Sequence, residues 1–179
     1  MKENDKKMNE KLWHNFMEIF DNKDNLKSYY NYYLAIVNWV RMNKKFFKKE
    51  VLERNRLDVL LELDPTVYIV DNPDFSLEME LSRIGQDVPA SINNFAMRIG
   101  DTLFELVSIK SGSDCPKCIY DELRYIFTVN EITSEEKVAL ECNSCGWTEY
   151  IDGGKWNDGT VKAIPASKKD LMRFGIIKE

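Results

Sequence analysis

Four cysteines, the only ones in the chain, form two Cys-x-x-Cys pairs whose spacing suits metal binding. The first pair is Cys115 and Cys118, the second is Cys142 and Cys145, and 23 residues separate the pairs. Because each tight turn can direct two sulfur atoms at one point, two such turns supply the four thiolates of a tetrahedral zinc site. The spacing therefore predicts that all four cysteines are ligands of a structural Zn²⁺ ion, the one cofactor we expect.

Other chemistry for four cysteines was weighed against this prediction. Four thiolates leave the metal no open position for water or substrate, so the predicted site does not favour zinc catalysis. Two disulfides require an oxidising compartment, and residues 1–25 lack the apolar core and cleavage site of a secretory signal. A thioredoxin-like thiol pair opens a helix after a strand, a context that neither pair clearly has. A zinc-bound redox switch stays open as an alternative.

The residues around the cysteines favour strands, because they form short runs rich in β-branched and aromatic side chains. These runs are 119–129, 137–141 and 147–151. Two cysteine turns that feed a three-stranded antiparallel sheet resemble a zinc ribbon, over about residues 113–153. Gly146 follows the second pair, as is common in ribbons, whereas Ile119 follows the first.

The rest of the chain must position this region, and its apolar spacing is mainly helical. Helices are predicted at 5–21, 26–42, 41–56 continuing toward Leu63, and 88–109. Residues 66–70 are predicted to be a strand, 71–74 a turn, and 75–84 fit either a strand or a helix. The expected fold class is therefore α+β. It comprises a mainly helical domain at 1–112, the ribbon at 113–153, and a C-terminal extension at 154–179 that packs back on the body.

Shorter signals refine this division of the chain. Gly100 lies inside a predicted helix, where it indicates a kink or a close helix contact. Residues 111–113, Ser-Gly-Ser, are predicted to be a linker. Ser167 followed by Asp170 is typical of a capping box at the start of a short helix that Gly175 ends.

Two N-terminal features have both a structural and a functional interpretation. The helix predicted at 26–42 is apolar nearly all round, which indicates either a central core helix or an aromatic interface, and we favour the core. His14 is the only histidine. Without a histidine or cysteine nearby in sequence, it is interpreted as a surface helix residue rather than as a base or ligand.

The charge is unevenly distributed along the chain. The net charge is −5, and residues 114–152 contain nine acids against three bases. An acidic ribbon repels phosphate backbones and suits a basic protein partner. The one basic cluster, 41–56, contains seven Lys and Arg residues with Phe46 and Phe47 among them. It is interpreted as the solvated face of a helix, with nucleic-acid binding as the alternative.

These observations favour a non-enzymatic protein-binding module. In size, charge and layout the chain resembles the immunity proteins of bacterial toxin–immunity pairs. The resemblance implies a basic, toxin-like partner such as a nuclease, blocked by acidic residues such as Glu131, Glu135 and Glu136. The alternative is a nucleic-acid or transcription-associated zinc ribbon that uses residues 41–56, and an enzyme with a hidden carboxylate pair is a third possibility. No apolar run is long enough to span a membrane, so a cytoplasmic protein is expected.

Overall fold

A computed structural model of the chain describes residues 3–22, 24–25, 27–68, 84–85, 87–154, 156 and 161–178. The chain forms two compact units. One unit contains residues 1–65 and 71–106, and the other contains residues 66–70 and 107–179. Helices dominate the first unit and an antiparallel sheet the second, so the predicted α+β class is confirmed at this level.

The helices follow most of the predicted pattern. They are α1 (Glu3–Met17), α2 (Tyr29–Asn43), α3 (Lys49–Arg54), α4 (Leu57–Leu60), α5 (Ile92–Leu106) and α6 (Lys168–Arg173). A 3-10 turn, Glu18–Asp21, extends α1 over the predicted length. The predicted capping box of α6 is also present, because the Ser167 hydroxyl accepts from the Asp170 N–H and the Asp170 carboxylate accepts from the Ser167 N–H.

The prediction of one continuous helix from residue 41 toward Leu63 is wrong. The chain there forms a 3-10 turn at Lys44–Phe46, then α3 and α4. Phe47, Leu52 and Leu57 are all buried. Successive members of this set are five residues apart, which is about 140° round a helix, so a single straight helix could not bury all three on one side. The breaks at Phe47 and Arg56 solve this problem, since Phe47 is extended and Arg56 has a φ of 58°.

The strand predicted at 66–70 is also wrong in its first part. Pro65–Val67 form a 3-10 turn, which proline favours at a first position because its φ is fixed and it has no N–H to pair. Residues 69–83 lie outside the described residues. They include the predicted turn at 71–74 and all but the last residue of the ambiguous 75–84 segment.

Aromatic rings form the centre of the helical unit. The Phe95 ring on α5 lies 5.4 Å from Trp13, 5.3 Å from Phe16 and 5.5 Å from Trp39, measured between ring centroids. The core interpretation of the aromatic helix is confirmed, because α2 buries Tyr32, Tyr33, Ile36, Val37, Trp39 and Val40. His14 is exposed on α1, as expected for a surface histidine.

The second unit is built on one long strand. The strands are β1 (Lys110–Asp114), β2 (Glu122–Asn130), β3 (Glu136–Glu141), β4 (Thr148–Tyr150) and β5 (Val161–Pro165). All pairings are antiparallel, and β4 pairs with β3. One edge of β2 pairs with β3, whereas its other edge pairs with β1 at its start and with β5 over Ile126–Asn130.

The sheet therefore has five strands rather than the three predicted. The linker prediction for 111–113 is wrong, because these residues lie within β1. Gly112 has a φ of 76° and the β1–β2 register is irregular, so a polar Ser-Gly-Ser sequence can still pair. β5 was missed because its five residues carry little apolar alternation and end in Pro165.

Within the described part of the chain, no helix combines the length and apolar character that crossing a membrane requires.

Candidate metal centre

The two cysteine pairs form two turns of the same kind, here called the first knuckle (residues 115–121) and the second knuckle (residues 142–147). In the first, the Ile119 N–H donates to the Cys115 carbonyl oxygen at 3.0 Å. In the second, the Gly146 N–H donates to the Cys142 carbonyl oxygen at 2.9 Å. The two turns therefore repeat one backbone hydrogen bond at equivalent positions.

The sheet brings the knuckles together at one end of β2. Cys115 directly follows β1, and Cys142 directly follows β3. Asp114 pairs with Glu122, and Glu141 pairs with Arg124, so both partner strands reach their knuckles beside the first residues of β2. The pairing register, rather than the sequence spacing alone, places all four thiols at one point.

The four sulfur atoms fit a tetrahedral metal ion. They all lie within 4.8 Å of one another. The Sγ atoms of Cys115 and Cys145 are 3.6 Å apart, and those of Cys118 and Cys142 are 3.5 Å apart. Four thiolates about 2.3 Å from a central zinc ion would be separated by about 3.8 Å, so the observed spacing suits the ion. A disulfide needs a separation of about 2.05 Å, and all four cysteines are free.

The centre is largely shielded from water. Cys115 and Cys142 are fully buried, whereas Cys118 and Cys145 are partly exposed. Leu123, Leu140 and Trp147 pack around the sulfur atoms. A small apolar cluster thus encloses the donors, which strengthens the electrostatic attraction between thiolates and a cation.

The thiols differ in how readily they ionise. Burial raises the pKa of Cys115, but the backbone N–H groups of Cys118 and Lys117 donate to its sulfur and hold the pKa at about 6. Burial raises the pKa of Cys142 to about 12, against the hydrogen bond from the Cys145 N–H. A metal ion that bound all four sulfur atoms would therefore displace protons from the thiols.

Two polar contacts support the knuckles from outside. The Arg124 Nη2 lies 2.6 Å from the Glu141 Oε2, and the two side chains are only 7% and 17% exposed. The Ser144 hydroxyl donates to the Asp121 carboxylate at 3.1 Å and so links the second knuckle to the first. Sequence reasoning missed both contacts. No signal in the sequence singles out the first pair, because both strands contain other charged residues, Glu122 in β2 and Glu136 and Lys137 in β3.

The other predicted site residues lie elsewhere. His14 is in the helical unit, and the described residues form no second group of three or more Cys, His, Asp or Glu side chains with metal-binding geometry. Glu131 and Glu135 are exposed in the turn between β2 and β3, and Glu136 is exposed at the start of β3. All three lie at the opposite end of β2 from the cysteines. Two of them have internal partners. Glu135 pairs with Lys137 at 3.3 Å, and Glu136 pairs with Arg173 at 2.8 Å.

Comparisons with protein-family models, with curated proteins and with solved structures gave no match for this chain.

Proposed function

We propose that this chain is a non-enzymatic protein-binding module whose four-cysteine centre holds a structural zinc ion in a zinc-ribbon arrangement. The observation that carries the proposal is the convergence of four thiols, within 4.8 Å of one another, in a mostly buried cluster. Four sulfur donors complete the coordination of zinc and give it a stabilising role. The metal then stabilises the sheet, and the surface of the sheet performs the recognition.

The surface charge supports a basic protein as the partner. Six acids of the 114–152 region are exposed, namely Asp114, Glu131, Glu135, Glu136, Glu149 and Asp152. Lys137 pairs with Glu135 and Asp152, and Arg173 pairs with Glu136, so these bases offset part of the acidic surface. Arg124, in contrast, is buried against Glu141 and offsets none of it. Such a surface attracts cationic partners and raises the rate of encounter with them. A toxin-like basic protein, neutralised in the manner of an immunity protein, is the partner that we propose.

Native mass spectrometry of the protein purified from its own source tests both parts of the proposal. We expect one zinc ion per chain together with a stoichiometric basic protein. The partner's activity, assayed after separate purification, should fall when the chain is added back. A chain that carries no zinc contradicts the metal assignment, and the absence of any protein partner contradicts the binding function.

A second candidate, nucleic-acid binding, is supported by the exposure of the whole basic cluster. Arg41, Lys44, Lys45, Lys48, Lys49, Arg54 and Arg56 are all exposed. Phe47 is buried, however, and Lys49 pairs with Glu53 at 3.5 Å, which is what a solvated face would show.

Salt titration with a fluorescent oligonucleotide distinguishes the two functions. Phosphate binding would weaken steeply as salt increases, and charge reversal at Lys44, Lys45, Lys48 and Lys49 would abolish it. We expect instead that neither the wild-type chain nor the reversed variant binds the oligonucleotide at 150 mM salt, about the physiological ionic strength.

A further inference from the structure

The two knuckles place different residues at one demanding backbone position. Gly146 in the second knuckle has a φ of 69°, and Ile119 in the first has a φ of 53°. Glycine adopts a left-handed conformation freely, whereas a β-branched residue in that conformation is a genuine outlier. The second knuckle shows that glycine adopts the backbone conformation this turn requires. The conformation of the first knuckle therefore does not explain why isoleucine occupies the equivalent position.

Burial does not explain the presence of an isoleucine at position 119 either. Ile119 is 75% exposed and the adjacent Tyr120 is 87% exposed. Neither belongs to the apolar cluster around the sulfur atoms. A Cβ built on Gly146 would likewise meet no atom within 4 Å, so this turn position faces open space in both knuckles. An unfavourable conformation is thus retained for a side chain that projects into solvent.

Acidic residues flank this pair in the sequence. Residues 114–122 contain three acids, Asp114, Asp121 and Glu122, and one base, Lys117. Asp121 accepts a hydrogen bond from the Ser144 hydroxyl, and Glu122 accepts one from the Gly112 N–H at 2.6 Å. Both donors are neutral groups, so neither hydrogen bond pairs a carboxylate with a positive charge. The pair is therefore an apolar centre flanked by a net negative stretch of sequence, here called the rim.

We infer that Ile119 and Tyr120, here called the knuckle tip, are the anchor through which this chain binds a basic protein. This inference rests on the proposed function and names its contact surface. The complementary surface on the partner is an apolar pocket bordered by Lys or Arg. An aromatic and an aliphatic side chain that enter such a pocket supply the concentrated binding energy of a hot spot, and the acidic rim selects the charge of the partner.

The charge of the rim also argues against other occupants. Anionic lipid head groups and nucleic-acid phosphates would both be repelled by Asp114, Asp121 and Glu122. Exposed apolar side chains with an acidic border are instead suited to a cationic protein surface.

The test uses the full, zinc-loaded chain and the purified partner identified by native mass spectrometry. Ile119→Gly removes the side chain and relieves the backbone, Ile119→Asn keeps a residue that tolerates this conformation, and Tyr120→Ser removes the ring. Met42→Ser is the matched control, because Met42 is 74% exposed and lies on α2 of the helical unit, outside the acidic 114–152 region. Dissociation constants are measured by isothermal titration calorimetry, and stability is measured by thermal unfolding.

We expect each tip variant to weaken binding about 10-fold or more, and Met42→Ser to change it less than about 3-fold. We expect Ile119→Gly to raise the unfolding midpoint by about 2–4 °C, because glycine relieves the strained position. Loss of affinity together with a gain in stability would separate binding from folding. If the Ile119 side chain served only to stabilise the fold, Ile119→Gly would lower the unfolding midpoint instead.

Three results would overturn the inference. Unchanged affinity in the tip variants would remove the knuckle tip as the anchor while leaving the proposed function intact. A lower unfolding midpoint in Ile119→Gly would assign Ile119 a structural role. Self-association of the chain that the tip variants abolish would make a second copy the occupant. If no basic protein binds, the proposed function fails first and the anchor fails with it.

Discussion

Gly100 of α5 lies directly against the backbone carbonyl of Asn55, at the end of α3. A Cβ built on Gly100 would approach the Asn55 carbonyl oxygen to 2.5 Å, closer than real Cβ atoms come. The Asn55 N–H caps α3 on the Val51 carbonyl, and its side-chain amide donates to the same oxygen at 2.7 Å. The close helix contact predicted from an interior glycine is therefore confirmed. The atom that Gly100 contacts is a backbone oxygen, which cannot move away by a change of rotamer.

We predict that Gly100→Ala destabilises the helical unit. Alanine is the better helix former by about 1 kcal/mol, but the overlap with the Asn55 carbonyl requires α3 or α5 to shift. Overpacking of this kind costs about 1–3 kcal/mol, so the free energy of unfolding should fall. Urea denaturation followed by tryptophan fluorescence measures the change. Met97→Ala, on the same helix and 46% exposed, is the control. A more stable Gly100→Ala protein would contradict the contact.

We predict that Cys142→Ser abolishes stoichiometric zinc binding. Cys142 is fully buried directly after β3, and the hydroxyl that serine introduces there is a poor substitute for a zinc-bound thiolate. Inductively coupled plasma mass spectrometry should give much less than one zinc per chain, and hydrogen exchange should increase over residues 114–152. Ser144→Ala, within the same knuckle, should keep its zinc. Full zinc occupancy in Cys142→Ser would disprove the four-ligand assignment.

We predict that removal of zinc unfolds the knuckles before it affects the helices. The aromatic core around Phe95 lies within residues 1–65 and 71–106 and includes none of the cysteines. Treatment of the full chain with a chelator should therefore raise hydrogen exchange in residues 114–152 while α2 and α5 stay protected. Loss of protection in α2 and α5 at the same chelator concentration would show that the two units fold as one.

We predict that Arg124→Met strongly destabilises the sheet unit, because it leaves the Glu141 carboxylate, whose side chain is only 17% exposed, without its partner. Breaking a buried ion pair costs about 3–5 kcal/mol, whereas replacing both members with apolar residues is often neutral. The double variant Arg124→Met/Glu141→Leu should recover much of the lost stability. A double-mutant cycle from urea denaturation of the zinc-loaded chains measures the coupling. Additive effects of the two single variants would argue that the pair is not coupled.

The elements predicted correctly are those whose signals are local and periodic. The apolar spacing of α1, α2 and α5 follows the helical repeat. The start of α6 is marked by Ser167 and Asp170, which form the capping box with each other. Each cysteine turn was predictable because a Cys-x-x-Cys turn depends on neighbouring residues, whereas the meeting of the two turns depends on strand register. In each case the information lies within a few residues of the structure that it specifies.

The errors concern features that depend on distant residues. The Ser-Gly-Ser sequence at 111–113 and the short β5 are strands only because β2 offers both of them an edge. The helix after residue 41 breaks because Phe47, Leu52 and Leu57 must all reach one core. The ion pair of Arg124 with Glu141 depends on strand register. The exposure of Ile119 depends on whether a distant part of the chain packs over it. Tertiary context decides all of these, and no local pattern encodes it.

The use of β2 by three partners also has a consequence for protein synthesis. During synthesis β1, β2 and β3 leave the ribosome first, and the edge of β2 over Ile126–Asn130 has no partner until residues 161–165 have also left it. At about 5–20 residues per second, that edge stays open for on the order of a few seconds in every nascent chain. An open strand edge can pair with another chain, so a delay between the emergence of β2 from the ribosome and that of β5 should favour aggregation. The rate at which β5 follows β2 out of the ribosome is thus a physical variable in the yield of folded protein.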